Sequence, residues 1–139
     1  MSNKQRIKDF FHLVYNEKDY ERGLTYLTPS FFDHSPASSR SGQDAIEAVK
    51  SVHEAFPDLQ VEIIDLIEED DKVLVQALFK GTQAAPYLNI ENKGNSIKFF
   101  ALEMYRFNKV GKIIESWGYW PNDAIISQLE GEDSNENIN

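Results

Sequence analysis

Two long runs of β-branched and aromatic residues constrain this chain more than any other feature. The first is Ile97-Lys98-Phe99-Phe100-Ala101-Leu102-Glu103-Met104-Tyr105-Arg106-Phe107. After Asn108-Lys109-Val110-Gly111 comes the second, Ile113-Ile114-Glu115-Ser116-Trp117-Gly118-Tyr119-Trp120. Two such runs across a short polar turn predict a long antiparallel hairpin. A strand pair this aromatic is not stable alone in water, so it must cover a core. Glu103 and Glu115 interrupt otherwise apolar arms, and an apolar wall with a few polar groups is how small-molecule sites are usually lined. Buried without partners, these carboxyls would titrate high, as a general base needs. Facing solvent, or paired with Arg106 or a lysine, they would be ordinary, and that reading suits Glu115 better. Both tryptophans lie on the second arm, and alternation puts Trp117 and Trp120 on opposite faces. One should meet the interior and the other a helix or a partner.

With 139 residues the chain is expected to form one domain over residues 1–130, since this length buries about two-thirds of its unfolded surface. It contains no cysteine, which excludes disulfides, a thiolate nucleophile and thiolate metal ligands. The charged, amphipathic start shows neither a signal peptide nor a membrane span, so a soluble, cytoplasmic protein is expected. The formal net charge of -9 with scattered Lys and Arg argues against a nucleic-acid partner. Residues 131–139, rich in Gly, Ser, Asn and acids, read as a disordered tail.

In chain order, Ile7, Phe10, Phe11 and Val14 share one face of an amphipathic helix. A second short helix is expected to carry Tyr20, Leu24 and Leu27 and to stop at Thr28-Pro29. Phe31 to Pro36 reads as an extended piece ending in a turn. Ser41 followed by Asp44 is a capping-box-like start for a third helix, from about Gln43 to Phe56, with Ile46, Val49, His53 and Phe56 facing the sheet. Val61–Ile67 and Val73–Phe79 flank a polar turn and predict a first hairpin. Asn122-Asp123 can cap a last helix carrying Ile125, Ile126 and Leu129. Helices first and consecutive antiparallel strands afterwards make an α+β class, with three N-terminal helices on a mostly antiparallel sheet.

Several segments together resemble the SnoaL-like polyketide cyclase family: Phe32-Asp33-His34-Ser35-Pro36, Gly42 with Ala45-Ile46, Ala55-Phe56-Pro57-Asp58-Leu59-Gln60-Val61, Gly81-Thr82, Tyr105-Arg106-Phe107 and Gly111-Lys112-Ile113-Ile114-Glu115-Ser116-Trp117. The resemblance implies a cone-shaped fold shared with ketosteroid isomerase and the nuclear transport factor type proteins. Its strongly curved sheet and helices would enclose a pocket. It also implies proton-transfer chemistry, such as aldol ring closure, without metal or cofactor. Two places depart from the family pattern. Pro121 stands where the cyclases carry an acid/base aspartate, and Gln83 where a histidine commonly follows the Gly-Thr pair.

The candidate proton carriers are therefore His34, Glu103 and Asp123. His34 is the most capable because its pKa lies near neutrality, though it can equally serve as a loop hydrogen-bonding group. Asp123 qualifies only if the chain turns it toward the pocket; otherwise it is a helix cap. The candidate ligand contacts are Tyr15, His53, Phe56, Gln83, Tyr87, Tyr105, Trp117 and Tyr119, with His53 also readable as a core histidine bonded to a backbone carbonyl. Three histidines without regular spacing form no metal motif. Two functions follow as alternatives: a non-catalytic pocket for a small apolar or aromatic molecule, or a cofactor-independent cyclase or isomerase. The aromatic outer face of the late hairpin points to a homodimer formed through the sheet.

Overall fold

The computed structural model describes residues 1–35 and 39–132. Pro36, in the turn expected after Phe31, and residues 133–139 of the expected tail lie outside the described residues.

The first helix, α1 (Asn3–Phe11), starts at Ser2, whose hydroxyl accepts from the Gln5 N–H. It continues into a π-helical turn, His12–Asn16, closed by the Glu17 N–H bonding to the His12 carbonyl at 2.9 Å. The extra residue in the wide turn helps bury Leu13, Val14 and Tyr15 in succession, which a 3.6-residue period would not. Helix α2 (Tyr20–Leu24) is shorter than expected. Leu27 does not extend it: this residue opens strand β1 (Leu27–Asp33) and pairs with Ile113. Pro29 fits within β1 because the strand lies at the sheet edge, where a missing N–H costs little.

Helix α3 (Gly42–Ala55) begins as its sequence suggests, with Ser41 accepting from the Asp44 N–H at 3.0 Å. It buries Ile46 and His53, and Phe56 just beyond its end is buried too. The remaining strands are β2 (Gln60–Glu69), β3 (Lys72–Thr82), β4 (Ser96–Phe107) and β5 (Ile113–Tyr119), followed by α4 (Asn122–Glu130). Pro121 occupies the N-cap position of α4 without a side-chain bond. Asn122 and Asp123 thus sit in the first turn rather than capping it. At the other end Gly131, at φ 75°, closes α4 in the left-handed conformation that glycine adopts cheaply.

The sheet order is β1-β5-β4-β3-β2. Three of its pairings are antiparallel and β1 runs parallel to β5, making an open mixed sheet. The two hairpins are joined at β3 and β4 over eleven paired positions from Lys72↔Arg106 to Thr82↔Ser96. Alternation along β4 is strict. Ile97, Phe99, Ala101, Glu103, Tyr105 and Phe107 are buried against the helices, while Phe100 and Leu102 face outward, about half exposed (52% and 50%). No described helix is long and apolar enough to cross a membrane.

Candidate functional site

Register decides which side chains meet on the inner face. Strand pairing sets Asp33 beside Ser116 and Ser116 beside Tyr105, with Gly118 beside Glu103 in the adjacent row. Strands β1 and β4 are thus separated by β5 alone, a span of about 10 Å. At that point β5 offers only the small inner side chains of Ser116 and Gly118. A Cβ on Gly118 would lie 3.6 Å from Glu103 Cγ and 3.7 Å from Ser35 Cβ. A side chain here would touch both Glu103 and Ser35.

Glu103 is buried and has no cationic partner among the described residues. The Tyr105 hydroxyl bonds to its Oε1, and the Trp120 indole N–H donates to its Oε2 at 2.7 Å. Burial pushes the Glu103 carboxyl above its ordinary value of 4.5; the two hydrogen bonds oppose this, and the charge of Asp33 adds to it. Asp33 takes three hydrogen bonds of its own. Ser116 Oγ and the Ser35 N–H, each at 3.0 Å, donate to Oδ1, and Ser35 Oγ donates to Oδ2.

Aromatic rings close the interior around these acids. Trp120 lies 4.8 Å from Phe79 and 5.1 Å from Phe99, and Phe79 stacks on Phe99 at 5.0 Å. Tyr15 meets Phe79 edge-on at 5.4 Å. Its hydroxyl has no hydrogen-bond partner among the described residues, although the residue is 94% buried by its 6% exposure. Its pKa is pushed well above the ordinary value by burial, then by the nearby charges of Glu103, Tyr87 and Asp33. Tyr105 is raised in the same way by burial, then by Glu103 and Tyr15.

Among the candidates read from sequence, Glu103, Tyr105 and Tyr15 are brought together here; Asp33 and Trp120 join them. His34 is not part of this group. It lies on the outer side of the sheet, stacked on Trp117 at 4.7 Å, with Nε2 donating to Glu115 Oε2 at 2.7 Å. Glu115 also binds Arg106, which lies 3.6 Å from Asp71. The hydrogen bond from His34, followed by that from Arg106, holds Glu115 below its ordinary value. Trp117 and Tyr119 also face outward, since they pair with Met104 and Leu102; Trp120 is the tryptophan that turns inward. Asp123 is exposed on the first turn of α4.

His53, Phe56 and Gln83 support the site from behind. His53 is buried between the Tyr15 carbonyl, 3.0 Å from Nε2, and the Tyr20 hydroxyl, 2.7 Å from Nδ1. A carbonyl can only accept, so Nε2 carries the proton and Nδ1 accepts from Tyr20. This ties the π-helical turn to α3, and burial holds the pKa of His53 below 6.5. Gln83 donates to the carbonyls of Ala85 and Ile90 and accepts from the Lys93 N–H. Its amide is used up in shaping the loop between β3 and β4. Tyr87, in that loop, lies edge-on to Phe56 at 5.2 Å. It also lines a surface depression of about 430 Å³ with Ser51, Glu54 and Leu88. Neither this depression nor a second of about 320 Å³ beside Leu27 and Gly42 touches Glu103.

No curated sequence matches the chain. Among solved structures, TsrD from Streptomyces laurentii shares 24% identity with a TM-score of 0.83, over 94% of this chain and 96% of that one. AclR from Streptomyces galilaeus, described as a candidate hydroxylase, shares 21% identity with a TM-score of 0.80 over 93% and 96%. A candidate polyketide cyclase from Bacillus cereus shares 25% identity with a TM-score of 0.73 over 90% and 78%. The family model for SnoaL-like polyketide cyclases matches residues 5–129, nearly all of the described domain, and the chain belongs to that family.

Proposed function

We propose that this protein is a cofactor-independent acid/base enzyme that moves protons next to the carbonyl of a small apolar or aromatic, polyketide-like molecule. One observation carries the reading: two carboxyl groups, Asp33 and Glu103, face a single aromatic interior across a floor of Ser116 and Gly118, in unlike surroundings. Two acids in unlike surroundings let one site run acid and base chemistry together. In this scheme Asp33 removes a proton from the carbon next to the carbonyl. Glu103, whose hold on its proton burial strengthens, supports the oxygen on which the enolate charge develops, and the Tyr15 hydroxyl is a second donor toward it. The enolate carbon then either takes the proton back at another position or attacks a second carbonyl, whose oxygen receives the proton.

A second reading is a pocket that binds without turnover. What favours it is Pro121, which cannot carry a proton, at the place where the family resemblance expects an aspartate, together with an amide of Gln83 already fully engaged.

Deuterium exchange at carbons next to a carbonyl, in a panel of ketones and polyketide-like esters, separates the two. The enzyme reading expects exchange accelerated by wild type and reduced at least about a hundredfold, roughly 3 kcal/mol, by Asp33→Asn or Glu103→Gln. Binding of the same compounds with no exchange, or exchange that survives both substitutions, would contradict it.

A further inference from the structure

We infer that the segment Ala85–Gly94, between β3 and β4, is a hinged flap over the entrance to the interior, and that the Tyr87 ring is its plug. This rests on the reading that a small apolar or aromatic molecule enters the interior, whether or not it is turned over there.

Neither described depression touches Glu103, so a molecule that reaches the acids must displace part of the wall. The sheet does not yield easily, because β3 and β4 stay paired from Lys72↔Arg106 to Thr82↔Ser96. Helix α4 is pinned to the sheet. The Gln128 side chain accepts from the Lys98 N–H at 2.7 Å and donates to the Lys98 carbonyl at 3.0 Å, and Asn95 Nδ2 donates to the Leu129 carbonyl at 2.9 Å. The end of β3 is fixed as well. The Thr82 N–H donates to Asp58 Oδ1 at 2.8 Å, and the Ala84 N–H to the Ala55 carbonyl at 2.7 Å.

The chain just beyond is held differently. From Ala84 to Ser96 no residue is buried, the longest such run among the described residues. Among those residues, every hydrogen bond from Ala85–Gly94 to the rest of the chain is made with the Gln83 side chain. A segment with so little buried surface and one clamp opens at a small fraction of the cost of unfolding. Gly94, at φ 69° with nothing within 4 Å of a Cβ placed there, gives its far end room to pivot. Leu88 and Asn89 hold positive φ in the closed turn, so opening also relieves strain.

Tyr87, Leu88 and Ile90 pack on the core, and the Tyr87 ring meets fully buried Phe56 edge-on at 5.2 Å. Tyr15 is close enough for a charge on Tyr87 to act on it. On the solvent side, the depression of about 430 Å³ lies between this ring and Ser51 and Glu54 of α3. That space lets the ring swing off Phe56 and gives an arriving molecule a place at the mouth.

The test uses the full chain, which has no cysteine. Ser116→Cys places a single thiol on the floor of the site, and its labelling rate by N-ethylmaleimide, a small neutral reagent, reads access to the interior. Labelling should be slow in that chain and at least about tenfold faster when Tyr87→Ala or Gln83→Leu is added. The gain should exceed any acceleration of hydrogen exchange in the β4 amides. Ala101→Cys, also buried on the inner face, repeats the measurement where Ser116→Cys does not fold. A thiol labelled as fast as one at exposed Asp123→Cys, a rate that neither substitution moves, or a gain matched by equally faster β4 exchange would overturn the inference. Labelling needs no turnover. Absence of deuterium exchange on every ketone would sink the enzyme reading and leave the flap standing, whereas an unmoved labelling rate would sink the flap and leave the chemistry of the acids standing.

Discussion

Glu103 was legible in the sequence because it breaks an alternating apolar arm on the side that also holds Phe99 and Tyr105. Its partner Asp33 was not. A short extended piece does not reveal its inward face until its parallel pairing with β5 sets Asp33 beside Ser116. The two tryptophans show the same limit: alternation separates Trp117 from Trp120, but only the register Glu103↔Gly118 says which one turns inward. Burial of Glu103 has a consequence for stability. A carboxyl raised above 4.5 in the folded state still holds its proton where the unfolded chain has released it. Its contribution therefore worsens as pH rises from about 4.5 up to the folded-state value and is constant beyond. Glu103→Gln should gain stability relative to wild type as pH rises from 4 to 8. Urea unfolding at the two pH values checks this, and a variant less stable at pH 8 than at pH 4 relative to wild type would count against it.

At the scale of elements, helix α3 and both hairpins followed from periodicity and capping residues, while three local features did not. The π-helical turn adds one residue to a helix whose apolar spacing looks ordinary, and its sign is the Tyr15 carbonyl taken up by His53. Leu27 fits a helical stripe by spacing but is claimed by strand pairing with Ile113. Gln83 reads as a pocket amide until the loop after β3 folds back, with Leu88 and Asn89 at φ 50° and 63° in a tight turn closed by Tyr87 and Ile90. Positive φ at a leucine is strained, so the bonds from Gln83 must hold the loop in place. Replacing Gln83 by Leu leaves the Ala85 and Ile90 carbonyls and the Lys93 N–H without that partner. A loss of about 1–3 kcal/mol in chemical denaturation is expected, with hydrogen exchange accelerated first in residues 84–93. Unchanged exchange in that loop would contradict the role given to Gln83.

For the whole molecule, the inner face of the sheet is closed by helices and aromatic rings, but the outer face is left apolar. Leu74, Phe100, Leu102 and Tyr119 are exposed there, with Leu102 paired to Tyr119 and Met104 to Trp117. Apolar side chains gathered on one exposed face commonly mark an interaction surface. We propose that a second copy of the chain covers it in a two-fold dimer. Sedimentation should give twice the 16.0 kDa chain mass, and Leu102→Glu, a charge placed on the patch, should shift the protein to monomer while leaving its circular dichroism unchanged. A wild-type monomer at every concentration would refute the assignment. The central claim remains that the fold strengthens the hold of buried Glu103 on its proton. Its most direct measurement is a ¹³C carboxyl titration of the folded protein, with the Glu103 signal assigned by its loss in Glu103→Gln. The account predicts that the Glu103 midpoint lies above 4.5 and that Asp33→Asn, by removing a neighbouring charge, lowers it. A Glu103 that ionises at or below 4.5, or a midpoint that Asp33→Asn does not move, would contradict it.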